Sequence, residues 1–253
     1  MTHSGGTQLS IQQCRSMELL TAGAARLGIR LGQGQKEQFH RYYELLVEWN
    51  SRVNLTSVTG WEETQARHFL DSLTVSAVIP SDLLETGRFI DVGSGAGFPG
   101  LPLRIAFPGL SATLVDSTAK KTAYLDRLTD ALGMTDVDVR TARAEALAQE
   151  PEYREAFDFV LCRAIAGMST LAELTLPFCR VGGLVIAQKS PGIDQEIMQA
   201  ERAIDTMGGR LREVKELVVE GLDRARCLVV LEKVSATPER YPRRPGMPAK
   251  SPL

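Results

Sequence analysis

Apolar positions in residues 1–85 recur at helical spacing. Within Glu37–Asn50, Phe39, Tyr42, Tyr43, Leu46 and Trp49 share one face, which predicts an amphipathic helix whose aromatic stripe is core packing. A second helix is expected from Glu62 to Val78, ahead of Pro80. At Arg88 the period changes, and short apolar runs bounded by turn residues begin to alternate with longer helical stretches. Strands are predicted at Phe89–Val92, Ala112–Asp116, Val137–Thr141, Phe157–Cys162 and Leu184–Gln188. Between them the pattern places a helix starting at Pro99 and stopped by Pro108-Gly109. Further helices are predicted over Thr118–Leu132 (ended by Gly133), Ser169–Cys179 (before a Gly182-Gly183 turn) and Ile193–Met207. Two last strands are expected near Val214–Val219 and Arg226–Glu232, around Gly221.

Strands alternating with helices at this spacing give a mostly parallel sheet covered on both faces. The final two strands have a connection too short for a parallel crossover, so they form an antiparallel hairpin. The expected fold class is α/β: a seven-stranded, mostly parallel sheet with a terminal antiparallel hairpin, the Rossmann-like architecture of class I methyltransferases, plus an N-terminal helical extension. Three regions follow: a helical region at 1–85, a nucleoside-binding domain at 86–234, and a basic, Pro-rich tail at 235–253, expected to be extended.

Composition narrows the partners. The formal charge of −2 excludes a uniformly basic molecule, so any nucleic-acid surface has to be a local patch. Cys14, Cys162, Cys179 and Cys227 are scattered without a CxxC pair, and His3, His40 and His68 complete no zinc spacing, so no metal is expected. Unpaired cysteines suit a reducing cytoplasm. Met1–Gln8 does not read as a signal peptide, and no apolar run approaches a membrane span. Asn54-Leu55-Thr56 is then a chance match to a glycosylation sequon.

The most informative segment is Asp91-Val92-Gly93-Ser94-Gly95-Ala96-Gly97-Phe98-Pro99-Gly100. A strand, glycine turn and helix put this loop at the carboxyl edge of the sheet, where ligands bind. Gly95 to Gly100 also satisfies the GxGxxG dinucleotide fingerprint, which alone decides little. Three features favour S-adenosylmethionine over a nicotinamide cofactor. Asp91 two residues before Gly93 gives the DxGxGxG form usual in methyltransferases, serving the cationic methionine portion directly or through the loop. Asp116 ends the second strand, where a carboxylate accepts ribose hydroxyls, although NAD sites share this feature. The chain also ends in a hairpin, not in a second mononucleotide-binding half. After the third strand, Ala144 and Glu145 border the expected adenine position, the alternative for Glu145 being an acid favoured by the helix dipole.

Beyond this loop the chain resembles the ribosomal small-subunit RNA methyltransferase G family, also called glucose-inhibited division protein B. The matching segments are Val53 to Val58, Arg67 to Leu73, Phe89 to Pro102, Thr113 to Ser117, Lys120-Lys121, Arg143-Ala144-Glu145, Arg163-Ala164, Lys189, Leu222-Asp223 and Tyr241 to Gly246. They run in order from about residue 45 to the C-terminus. The resemblance implies methyl transfer from S-adenosylmethionine to N7 of a guanosine, conventionally numbered 527, in bacterial 16S rRNA, within the 30S subunit. It places cofactor contacts on Gly93, Phe98, Ala144, Glu145 and Arg163, with Asp116 as ribose ligand beside Ser117 and Thr118. Gly95 and Gly97 complete the loop. Cys162 stands where the family often has Ser, and Ser190 follows Lys189 where Gly is frequent.

The residues agree with that chemistry. Guanine N7 carries a lone pair and no proton, so its methylation needs positioning and not a base. No [DN]-Pro-Pro-[YF] motif for exocyclic amines follows the fourth strand, and Cys162, between Leu161 and Arg163, reads as a buried, inert thiol. Arg143, Arg163 and Lys189 each follow a strand at the ligand edge and are the candidate catalytic cations, holding phosphate or the guanine O6 edge. In the tail, Arg240, Arg243, Arg244 and Lys250 face a single acid, Glu239, and are the candidate RNA-binding patch. His68 and Asp71 are expected to make a structural hydrogen bond. A small-molecule or protein methyltransferase of the same fold stays open as the alternative, and a noncatalytic RNA-binding module would need no Asp116. The chain is expected to be a monomer.

Overall fold

Runs that are apolar at every position need cover on both faces, and the sheet supplies it. The computed structural model describes residues 16–253, so Cys14, His3 and Met1–Gln8 lie outside the described residues. Strands β1 (Arg88–Val92), β2 (Ser111–Asp116), β3 (Val137–Thr141), β4 (Phe157–Arg163) and β5 (Cys179–Lys189) are parallel. With β6 (Gly209–Leu217) and β7 (Arg226–Lys233) they form one seven-stranded sheet of order β3-β2-β1-β4-β5-β7-β6. Only β7 is reversed, pairing antiparallel with β5 and β6 as the hairpin reading required.

Alternate residues of each central strand serve opposite faces. Ile90, Val160, Val185 and Val229 pack beneath α9 (Met168–Thr175) and α10 (Asp194–Thr206), while Phe89, Phe159, Ile186 and Val230 pack on the other side. The N-terminal helices α1 (Glu18–Arg26) and α2 (Gln33–Val53) share one apolar cluster with α6 (Gly100–Ala106) and α7 (Ala119–Ala131), through Phe39, Tyr42, Leu101 and Tyr124. They thus pack against the helices that flank the glycine loop.

Four expectations need correction. Pro99 precedes α6 as its N-cap residue instead of opening it. Gly182-Gly183 lies inside β5, because the β4–β5 register slips there and the extra residues form an irregularity within the strand. Strand β6 starts at Gly209, well before the expected Val214. It is an exposed edge strand carrying Arg210, Arg212, Glu213, Lys215 and Glu216, so no apolar alternation marks its start. The single helix expected over Glu62–Val78 is broken into α3 (Trp61–Thr64), a π-helical turn Gln65–Leu70, α4 (Asp71–Leu73) and a 3₁₀ turn Thr74–Val78. α5 (Ser81–Thr86) then leads into β1, and the short α8 (Ala144–Leu147) follows β3.

The tail also differs from a freely extended segment. Thr237, Tyr241 and Pro248 are buried, and Met247–Lys250 forms the short helix α11. Lys233, fully buried, donates to the carbonyls of Leu176 and Met207 and to Thr237 Oγ1, and forms an ion pair with Glu155. It fixes the point where the tail leaves the sheet.

Candidate active site

The glycine loop is held from both sides. Gly93, Gly95 and Gly97 all have positive φ, at 73°, 58° and 97°. At Gly97 a Cβ would lie 2.5 Å from the Tyr42 hydroxyl, so glycine is required for space as well as conformation. Tyr42 donates a 2.6 Å hydrogen bond to the Ala96 carbonyl, bracing the loop with α2. From the sheet side, the Gly93 and Ser94 amides donate to the Val115 carbonyl, and Ser94 Oγ donates to the Asp91 carbonyl while accepting from Val115 N.

Asp91 is fully buried. Its Oδ2 accepts from Gly100 N at 2.9 Å and its Oδ1 has no hydrogen-bond partner among the described residues, so burial pushes its pKa up to about 7. It does not line the cleft, and its reach to a ligand runs through the loop. Asp116 takes Gly95 N on Oδ2 at 3.1 Å and Thr118 N on Oδ1 at 2.8 Å, with Lys121 3.6 Å away. One carboxylate therefore ties loop to strand end and still borders the cleft.

Two adjoining clefts open at the carboxyl edge. The first, about 260 Å³, runs over the ends of β1–β4 and is bounded by Gly93, Asp116, Ser117, Ala144, Glu145 and Ile165, with Arg143 at its rim. The second, about 400 Å³, lies over β4, β5 and β7 among Asp71, Arg163, Gln188, Lys189, Arg224 and Arg226. Between them passes the segment after β4: Arg163 and Ala164 face the second cleft, Ile165 and Ala166 the first. Ala164 takes φ 55°, a left-handed conformation uncommon for alanine, at the crossing point.

The three candidate cations do not converge on one point. Arg143 is exposed and makes no ion pair among the described residues. Arg163 donates to Asp71 Oδ2 at 2.9 Å and to the Arg67 carbonyl, and its guanidinium lies 5.1 Å from the Phe98 ring centre. Lys189 donates to the Ala166 carbonyl and to Glu196 at 2.9 Å, fixing the partition between the clefts. Asp71 also accepts from Arg226 Nε, so one buried carboxylate orients two arginines.

Phe98 is 4% exposed, stacked on Tyr42 (5.3 Å) and His68 (4.5 Å). Its ring is enclosed, leaving only backbone for a ligand. Gly95 and Thr118 likewise act through their backbone N–H groups, which donate to Asp116, and Gly97 N donates to the Ser94 carbonyl. The resemblance segment 53–58 has a local reason. Asn54 ends α2 in a left-handed conformation, Asn50 Oδ1 takes Thr56 N, and Thr56 Oγ1 lies 2.7 Å from His68 Nε2. With His68 Nδ1 3.1 Å from the Arg67 carbonyl, Nδ1 carries the proton and Thr56 donates to Nε2. Burial, then the Arg163 charge, lowers the His68 pKa to about 4. Cys162 is fully buried, and burial raises its thiol pKa far from the reactive range, so it is no nucleophile.

Arg243, grouped by composition with the free cations of the tail, is chelated by Glu173, with contacts of 2.6 to 3.1 Å. Arg240, Arg244 and Lys250 remain exposed. Sequence reasoning missed Arg224, Arg226 and Gln188 of the second cleft, and Gly246 and Ala249, which line the first. One signal existed for the tail: Glu173, a lone acid in an apolar helix, demands a cation.

A nucleotide-style loop, a strand-end acid and the β3-β2-β1-β4-β5-β7-β6 order with its reversed strand together define a class I methyltransferase. The fold is shared at 13% identity and TM-score 0.53 with a chain of the solved complex between the Haloferax volcanii Trm112 methyltransferase activator and a methyltransferase, over 75% of this chain and 98% of that one. The chain belongs to the rRNA small subunit methyltransferase G family, whose model matches residues 35–226. It is 49% identical to "Ribosomal RNA small subunit methyltransferase G" of Dehalococcoides mccartyi over 238 residues, covering 94% of this chain and all of that protein. The protein of the same name from Bacillus subtilis is 40% identical, covering 94% of this chain and 99% of that one.

Proposed function

We propose that this chain transfers a methyl group from S-adenosylmethionine to N7 of a guanosine, conventionally 527, in 16S rRNA of the 30S subunit, acting as a cytoplasmic monomer. The carrying observation is the pair of clefts divided by the 163–166 segment: one lined for a nucleoside, the other for a polyanion. S-adenosylmethionine, when bound, supplies the electrophilic methyl. The first cleft fits it by its donor set. Asp116, with Ser117 and Thr118 beside it, takes the ribose hydroxyls. Ala144 and Glu145 border the adenine edge, while Gly93, Gly95 and Gly97 let backbone approach, with Phe98 contributing main chain only. Asp91 holds that loop.

In the second cleft, Arg163 and Lys189 orient the guanine and its phosphates, and Arg143 guards the rim between cofactor and RNA. No proton has to be removed from N7, which agrees with His68 held neutral and Cys162 held inert behind the loop. Arg240, Arg244 and Lys250, with Arg224, provide the local positive surface that a −2 molecule needs for RNA. Calorimetry with S-adenosylmethionine tests the cofactor half. Wild type binds, and Asp116→Ala weakens binding by about tenfold or more as the ribose acceptor is lost. No heat with wild type, or equal affinity for the variant, contradicts the assignment.

A further inference from the structure

We infer that the C-terminal segment 237–250 is the outer wall of the cofactor cleft, set in place by Arg243 acting as a positioning residue. This rests on the S-adenosylmethionine reading of that cleft. The segment is attached at three levels. At its root, Arg154 donates to the carbonyls of Thr237, Pro238 and Tyr241, and Thr237 N donates to Glu155 at 2.6 Å. At its middle, Arg243 gives Glu173 both a backbone N–H and its guanidinium; Glu173 is fully buried, and among the described residues Arg243 is its one ion-pair partner. At its tip, Gly246 and Ala249 line the cleft, and Pro248 accepts from Thr170, another cleft residue, at 3.0 Å.

The decisive contact is Gly246 N–H to Glu145 Oε1, at 2.8 Å. Gly246 has φ 84°, which glycine adopts freely and which turns its amide inward after Pro245. One oxygen of Glu145 is thereby fixed, and Oε2, which makes no hydrogen bond among the described residues, is left as the acceptor for the nucleoside edge. An arginine outside the cleft thus orients an acid inside it, through Glu173, Gly246 and Glu145. The basic composition of this stretch conceals two jobs: Arg243 faces inward to build the cofactor site, and Arg240, Arg244 and Lys250 face solvent.

Three variants of the whole chain test the wall, with S-adenosylhomocysteine as calorimetric probe and 30S binding measured without cofactor. Ala249→Trp puts bulk at an exposed position on the rim, so thermal unfolding and 30S binding should stay at wild-type values. Its affinity for the probe should fall by about tenfold or more. Arg243→Gln should raise the KM for S-adenosylmethionine more than it lowers kcat, with Arg243→Lys recovering part of the loss. If wild type binds the probe and Ala249→Trp binds it equally well, the wall is refuted while the cofactor reading stands. If wild type does not bind it, the cofactor reading itself falls. A defect of Arg243→Gln confined to 30S binding would also overturn the inference, since it would make Arg243 an RNA contact.

Discussion

Asp91 and His68 lie on either side of the glycine loop's chemistry, and their pKa values move in opposite senses. Burial lifts Asp91 to about 7. The folded protein then keeps a proton that the unfolded chain releases near pH 4, so this contribution to stability is complete below that pH and is lost as pH rises to about 7. His68, lowered to about 4, stabilises the fold above its unfolded value near 6.5, and that contribution is lost as pH falls toward 4. The slopes oppose each other, so the wild-type curve alone conceals both. Urea midpoints of Asp91→Asn and wild type at about pH 4.5 and about pH 7.5 separate them. The variant should gain on wild type by roughly 2–4 kcal/mol across that range, whereas a constant difference would show that Asp91 does not hold the proton. Arg163→Ala belongs to the same scale. Asp71 keeps Arg226 as partner, so melting should change little, while methylation should drop on the order of a hundredfold through lost positioning. Near-wild-type turnover on 30S subunits would remove Arg163 from the site.

At the scale of elements, α2 supports catalysis by bracing a loop it does not belong to. Tyr42→Phe removes the bond to the Ala96 carbonyl and should cost about 1–3 kcal/mol in chemical unfolding, with weaker cofactor binding. Full retention of both would show that the loop needs no brace. The elements that reveal themselves in the sequence are continuous apolar or alternating runs: β1, β2, β4 and β7 in the interior of the sheet, and the alternating edge strand β3, all with bounds the structure reproduces within a residue or so. The loop and its two acids were legible because glycine and carboxylate at strand ends have few other uses. What escaped notice obeys other forces. β6 follows no pattern because its outer face is solvent, and the 180–183 excursion of β5 depends on close approach of Gly183 to the Asp158 carbonyl, a tertiary fact. The π-helical turn that places His68 and Asp71 is set by packing and not by spacing. The tail looked free because Pro and Arg favour exposure, whereas the residues that fix it, among them Glu145, Arg154 and Glu173, lie far away in sequence.

The whole molecule combines a near-neutral charge with a partner that is a polyanion, so binding has to be local. Arg224 is exposed, lines the second cleft and makes no ion pair among the described residues. Arg224→Glu should weaken 30S binding and flatten its dependence on salt by roughly one phosphate contact or more, leaving calorimetric affinity for S-adenosylmethionine unchanged. Loss of cofactor affinity instead would mean that the two clefts are not separate sites. The N-terminal helices, sheet and tail thus meet at one edge, where the two clefts adjoin across the 163–166 segment.

The proposed activity is tested most directly by incubating the purified protein with S-adenosylmethionine and 30S subunits from a strain lacking the corresponding gene, then mapping the 16S rRNA by mass spectrometry. The account predicts one added methyl, on N7 of a single guanosine at conventional position 527. A methyl on another base or ring position, or transfer only to protein or a small molecule, would contradict it.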